Sequence, residues 1–178
     1  MKIESTAFTQ ADLQGFLNGL LDHERMVLAG RLERASARLA RLGPRIRTGP
    51  GEGGGDASGD GWSDHEVLAH IAVLSKFYGV LVHRIASGQL TEINLLANTN
   101  LRDVAGEQMA RIETHELLRM ALADHARTVK LLRTVEATAL KREVRTETGG
   151  AVSADYLARF PLINHLEEHV EQLERSLG

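Results

Sequence analysis

The feature that most restricts the fold of this chain is its hydrophobic period. Apolar residues return every three or four positions through most of the sequence, and two-residue alternation is almost absent. Such a pattern predicts amphipathic helices and an all-α fold without strands. The first segment runs from about Gln10 to Leu42, with Leu13, Phe16, Leu17, Leu20, Val27, Leu28 and Leu32 expected along one buried face. Pro44 and the stretch from Gly49 to Gly61 end it. That stretch holds seven of the chain's 17 glycines and almost no apolar side chains. It cannot recover its ordering entropy by burial, so a flexible Gly-rich loop is expected over about 43–61. No strand precedes it and no Gly-Lys-Ser/Thr follows, which argues against a phosphate-binding loop.

Trp62 closes that stretch, and Ser63-Asp64-His65-Glu66 fits a capping box. Ser63 can accept from the Glu66 N–H while Glu66 reaches back to the Ser63 N–H, with Trp62 and Val67 placed to form a hydrophobic staple. The second helix should end near Ala86, at Ser87-Gly88. A longer connection to about Val104 follows, with one helical turn expected around Glu92 to Ala97. The third helix is read over Gly106 to Thr138 and the fourth over Ser153 to Leu177, separated by Thr148-Gly149-Gly150. Pro161 should kink or restart the last. Four long amphipathic segments make a four-helix bundle, read as one domain over residues 1–178. The long connection between helices 2 and 3 means that a simple up-down-up-down order is not forced.

Composition then narrows the chemistry. Aromatic residues are 4% of the chain, so the core must be aliphatic, and cysteine is absent, which removes disulfides, thiolate-bound metal and a cysteine nucleophile. The net charge of −3 offers no basic field, and no nucleic-acid partner is expected. The N-terminus carries no apolar signal region, and no run of about 18 uncharged apolar residues is present to span a bilayer. A cytoplasmic protein with no membrane partner is the expectation. Any metal would be held by the eight histidines or by carboxylates.

Turning each helix at about 100° per residue sorts the histidines. His70 falls on the flank of the second helix's apolar arc, beside Leu74, Phe77 and Leu81. His165 and His169 share one edge of the last helix's apolar wedge, one turn apart, the spacing that lets two imidazoles close on one ion. On spacing alone, two readings stand: a three-histidine metal site, or partly buried histidines bonded to carbonyls. His65 and His83 project to the polar side and are read as solvated; His23 and His115 are read as surface. His125 lies within the third helix's apolar stripe. It is either a core histidine with a satisfied hydrogen bond or a group that supports the site as orienting partner, substrate contact or fourth ligand. Glu167, Glu168, Glu171 and Glu174 are read as a solvated face, with Arg175 an i, i+4 partner for Glu171. A ferritin-like di-iron site needs Glu-x-x-His motifs on two helices, which this chain does not offer.

The segment Gly61-Trp62-Ser63-Asp64-His65-Glu66-Val67-Leu68-Ala69-His70-Ile71 resembles the opening of the second helix in the DinB/YfiT-like metalloenzymes. There a Trp-Ser/Thr cap leads to a metal-binding histidine. Asn164-His165-Leu166-Glu167-Glu168-His169-Val170-Glu171-Gln172-Leu173 is similar to that family's last-helix motif, His-x-x-x-His-x-x-Gln. The resemblance covers nearly the whole chain from about Gln10, apart from the Gly-rich insertion. It implies a four-helix bundle in up-down-down-up order, with a divalent ion bound by His70, His165 and His169. Pro161 near the site and Glu168, where relatives often carry a second consecutive histidine, depart from the pattern.

Three neutral imidazoles leave coordination positions open, the arrangement of a catalytic rather than a structural site. Zinc is the first expectation for the cofactor, with nickel, iron or manganese also suited to imidazole. Gln172 and Asn164 are candidates to orient the ligands. The resemblance, which extends to the maleylpyruvate-isomerase-like branch, implies a metal-dependent transferase or isomerase acting on a small molecule with a low-molecular-weight thiol. The alternatives are a metal-dependent hydrolase in which metal-bound hydroxide is the nucleophile, and a non-catalytic metal-binding stress-response module. Association through an apolar helix face would make a homodimer.

Overall fold

The computed structural model describes residues 9–47 and 62–178; most of the expected Gly-rich loop lies outside the described residues. Seven α-helices occur among the described residues: α1 (Gln10–Leu42), α2 (Asp64–Ala86), α3 (Leu95–Met109), α4 (Thr114–Thr134), α5 (Ala137–Leu140), α6 (Ala154–Leu157) and α7 (His165–Leu177). A 3-10 turn, Gly43–Arg45, follows α1, and a π-helical turn, Ala158–Asn164, joins α6 to α7. Short strands β1 (Glu92–Ile93), β2 (Glu143–Thr146) and β3 (Ala151–Ser153) form one sheet.

The main helix starts follow their capping chemistry. Thr9 and Asp12 satisfy each other's backbone donors at the head of α1, and Ser63 and Glu66 do the same for α2. Both helices therefore begin and end within a residue of where the sequence places them.

Side-chain ties give the helix directions. His65 meets Thr114 and Ser75 meets His125, so contacts climb together along α2 and α4, and these helices run parallel. Ser36 reaches His125 while Arg25 reaches the Leu132 carbonyl, so α1 opposes α4. Arg31 pairs with Glu167 and Arg38 with Glu174, so α7 runs with α1. The bundle of α1, α2, α4 and α7 is thus up-down-down-up. Its centre is aliphatic, with Leu28, Leu32, Leu68, Ile71, Leu117 and Ile163 all essentially inaccessible. Among the described residues α2 alone is long and apolar enough to cross a membrane by length and composition, and here it packs within the bundle core.

Four expectations need correction. The connection after α2 holds not one helical turn but strand β1 and the 15-residue α3, which in turn shortens the third bundle helix to Thr114–Thr134. Strands are present: β1 pairs parallel with β2, and β2 antiparallel with β3. The sheet binds helix ends. The Glu147 carboxylate accepts from the Leu95 and Leu96 N–H groups at 2.9 Å each, and Arg142 donates to the Ala86 carbonyl at the end of α2. The third correction concerns α1, whose N-terminal apolar residues Leu13, Phe16, Leu17, Leu20 and Val27 are exposed; burial begins at Leu28. The fourth concerns the last segment's acidic face, because Glu167 and Glu174 are half-buried partners of α1 arginines.

Candidate metal centre

Ser63 anchors the start of α2, which puts His70 two turns into that helix on the side facing α7. The first turn of α7 is held from α1: Arg31 donates to the Asn164 side-chain oxygen at 2.7 Å and to Glu167 through Nε at 3.1 Å. Between α6 and α7, Pro161 has no N–H to give and lies inside the π-helical turn. The wide turn delivers His165 and His169 to the α2 side.

The three rings converge. Centroids of His70 and His165 are 5.3 Å apart, of His70 and His169 4.9 Å, and of His165 and His169 4.6 Å. One nitrogen from each ring lies within 4.8 Å of the others, close enough for one cation to be shared. All three side chains are half-buried.

The hydrogen bonding of His169 bears on whether a cation fits. Its Nδ1 lies 2.8 Å from Gln172 Oε1, an oxygen that can only accept, so Nδ1 carries the proton and Nε2 the free lone pair. That Nε2 is buried and has no hydrogen-bond partner among the described residues. A buried acceptor left unbonded costs about 1–3 kcal/mol, a cost that a metal bond would offset. Burial, reinforced by the fields of His169 and Arg102 and opposed by Glu168, holds the His165 imidazole below its ordinary pKa. The ring is therefore neutral and able to donate its lone pair. The donor set is all-imidazole, which suits zinc and its first-row neighbours.

Trp62 forms one wall, its ring edge-on to His70 at 4.8 Å and stacked near His169 at 6.3 Å. From α3, Arg102 donates to the Tyr78 hydroxyl at 3.4 Å. The sequence patterns did not single out Arg31 or Arg102, because each acts across a helix pair that no local spacing reveals. Trp62, expected to staple the α2 start, contacts two of the three histidines.

Of the residues expected to orient ligands, Gln172 bonds His169, whereas Asn164 bonds Arg31. His83, His23 and His115 are exposed. His65 is not solvated: it is 2% exposed, its Nδ1 accepting from Thr114 Oγ1 and its Nε2 donating to the Ala110 carbonyl, both at 2.9 Å. The junction of α3 and α4 covers the side of α2 that a lone helix would leave to water. His125 is a core histidine bonded at both nitrogens. Ser75 gives its own proton to the Ile71 carbonyl, so it accepts from His125 Nε2 at 2.7 Å, and Ser36 donates to Nδ1 at 3.1 Å.

No protein-family model matches the chain, and no curated protein matches it. Among solved structures it is similar to the crystal structure of the mycothiol-dependent maleylpyruvate isomerase, with a TM-score of 0.63 and 20% sequence identity. The match covers 85% of this chain and 60% of that one, so this chain spans about three-fifths of that protein's length. At that identity the likeness is one of fold, in keeping with the helical bundle that the resemblance of the two sequence motifs implied.

Proposed function

We propose that this chain is a divalent-metal-dependent enzyme that uses a low-molecular-weight thiol to transfer or isomerise a small electrophilic substrate. The observation that carries the metal assignment is the buried, unbonded Nε2 of His169, facing His70 and His165. In this reading the three histidines are the metal ligands, and zinc is the favoured ion. A bound divalent ion would supply a Lewis acid with coordination positions open to small molecules.

The remaining roles fall to the chain itself. Gln172 fixes the His169 tautomer, so the lone pair is aimed before any ligand arrives. Arg31 sets the height of α7 against α1 through Asn164 and Glu167, and with it the position of two of the three rings. Trp62 covers the rings of His70 and His169 and limits the access of water. The thiol assignment rests on the fold shared with an enzyme whose name states its dependence on mycothiol.

The test combines elemental analysis with a thiol panel. Purified protein should carry one divalent ion per chain, and His169→Ala should lose it with its fold intact. Turnover of an electrophilic substrate should require an added thiol. Turnover that persists without any thiol would point to a hydrolase, and stoichiometric metal without turnover to a binding module. Protein that never takes up metal would overturn the assignment of the site itself.

A further inference from the structure

Every residue from Gln10 to Leu20 is exposed, although this stretch is continuous helix with Leu13, Phe16, Leu17 and Leu20 along one side. Each of these four side chains is between 44% and 57% exposed. A helix of this length is marginal by itself in water, and Gly15 and Gly19 weaken it further. Beside it, Tyr156 and Phe160 pack against each other at 5.0 Å and are equally exposed. The Glu24–Arg159 ion pair, at 2.7 Å, ties their segment to α1 one turn beyond Leu20. The six side chains present on the order of 600 Å² of apolar surface, at the upper end for a monomer and near the about 800 Å² per partner of a stable complex.

We infer that this face is a homodimer interface, in which the projecting half of α1 pairs antiparallel with α1 of a second copy. The identity of the partner follows from the pattern. Apolar residues at 13, 16, 17 and 20 read the same in both directions about the midpoint of Phe16 and Leu17. A two-fold axis at that midpoint sets Leu13 opposite Leu20 of the other copy and Phe16 opposite Leu17, the self-complementarity that an isologous contact requires. Leu13 to Leu21 contains no charged residue, so two copies of a chain with net charge −3 meet there without local repulsion. A partner of different sequence would need neither the palindrome nor the neutrality. The inference is independent of the metal site.

The test is the mass of the full chain in solution, by sedimentation equilibrium from ~1 to ~100 µM. The unmodified chain should have twice the monomer mass. Phe16→Asp with Leu17→Asp should give the monomer mass, while Leu101→Asp, on an exposed position of α3, should leave the dimer intact. Because the chain has no cysteine, Leu17→Cys introduces a single thiol, which should form an intermolecular disulfide under mild oxidation; Leu101→Cys should not. His169→Ala should remain dimeric whatever its metal content. A wild-type monomer across the range, or a dimer that survives both aspartates, would overturn the inference.

Discussion

His169 donates its Nδ1 proton to the side-chain oxygen of Gln172, 2.8 Å away and one helical turn further on. Through that bond the opposite nitrogen keeps its lone pair and turns it toward His70 and His165. Replacing Gln172 with Leu should therefore weaken metal binding about 10- to 100-fold with no change in helix content. Gln172→Glu, which retains an acceptor oxygen, should stay close to wild type. Competition titration against a chromophoric chelator measures both, and equal affinity for Gln172→Leu would remove the orienting role.

Trp62 is the chain's one tryptophan and it touches two of the candidate ligands. Its emission should therefore report occupancy directly. Titration with nickel or copper should quench the fluorescence and saturate at one equivalent per chain, and His169→Ala should abolish the saturable phase. Quenching that rises linearly without saturation, in both proteins, would show collision rather than binding.

Burial of His125 pushes its pKa down to about 4, from an ordinary value of 6.5. The unfolded chain therefore binds a proton there that the folded chain refuses between these two values. Stability is full above pH 6.5 and falls as the pH drops toward about 4, by about 1.4 kcal/mol per pH unit and about 3 kcal/mol in all. Denaturant unfolding across that window should show this slope in the wild type. It should be shallower by that amount in His125→Gln, since the amide does not titrate. Parallel slopes in the two proteins would contradict the buried neutral imidazole.

Two helix glycines should respond oppositely to alanine. At Gly79 a Cβ would lie 2.7 Å from Thr128 Oγ1, a buried hydroxyl that donates to the Asp124 carbonyl where α2 and α4 run side by side. Gly79→Ala should cost about 1–3 kcal/mol. At Gly15 nothing lies within 4 Å, and Gly15→Ala should add up to about 1 kcal/mol through helix propensity. Midpoints from chemical denaturation distinguish the two; a neutral Gly79→Ala would mean that the two helices can separate freely.

The parts of the molecule that could be read in advance are those decided within a few residues. Ser63 and Glu66 mark a helix start by local hydrogen bonding, and His165 and His169 share a face because four residues make about one turn. The features that were misread depend on distant chain. His65 is buried only because α3 and α4 arrive over it. Strand β2 has one buried residue, Val144, in four, too short a run for alternation to register. The stretch Leu95–Met109 is helical although its large apolar residues Leu96, Leu101 and Val104 point to water, so it carries no stripe for periodicity to detect. The first half of the α1 stripe is the converse case: Leu13, Phe16, Leu17 and Leu20 keep the helical period of the buried half but find no core within their own bundle.

The wide turn at Ala158–Asn164 has a consequence of its own. An irregular coil just upstream acts as the angular setting for everything after it, since one residue more or less rotates the remainder by about 100°. Deleting a single position there would swing the two terminal imidazoles off their bearing while every side chain lining the cleft kept its identity. In this molecule the aim of the candidate ligands is thus encoded partly in the length of a spacer.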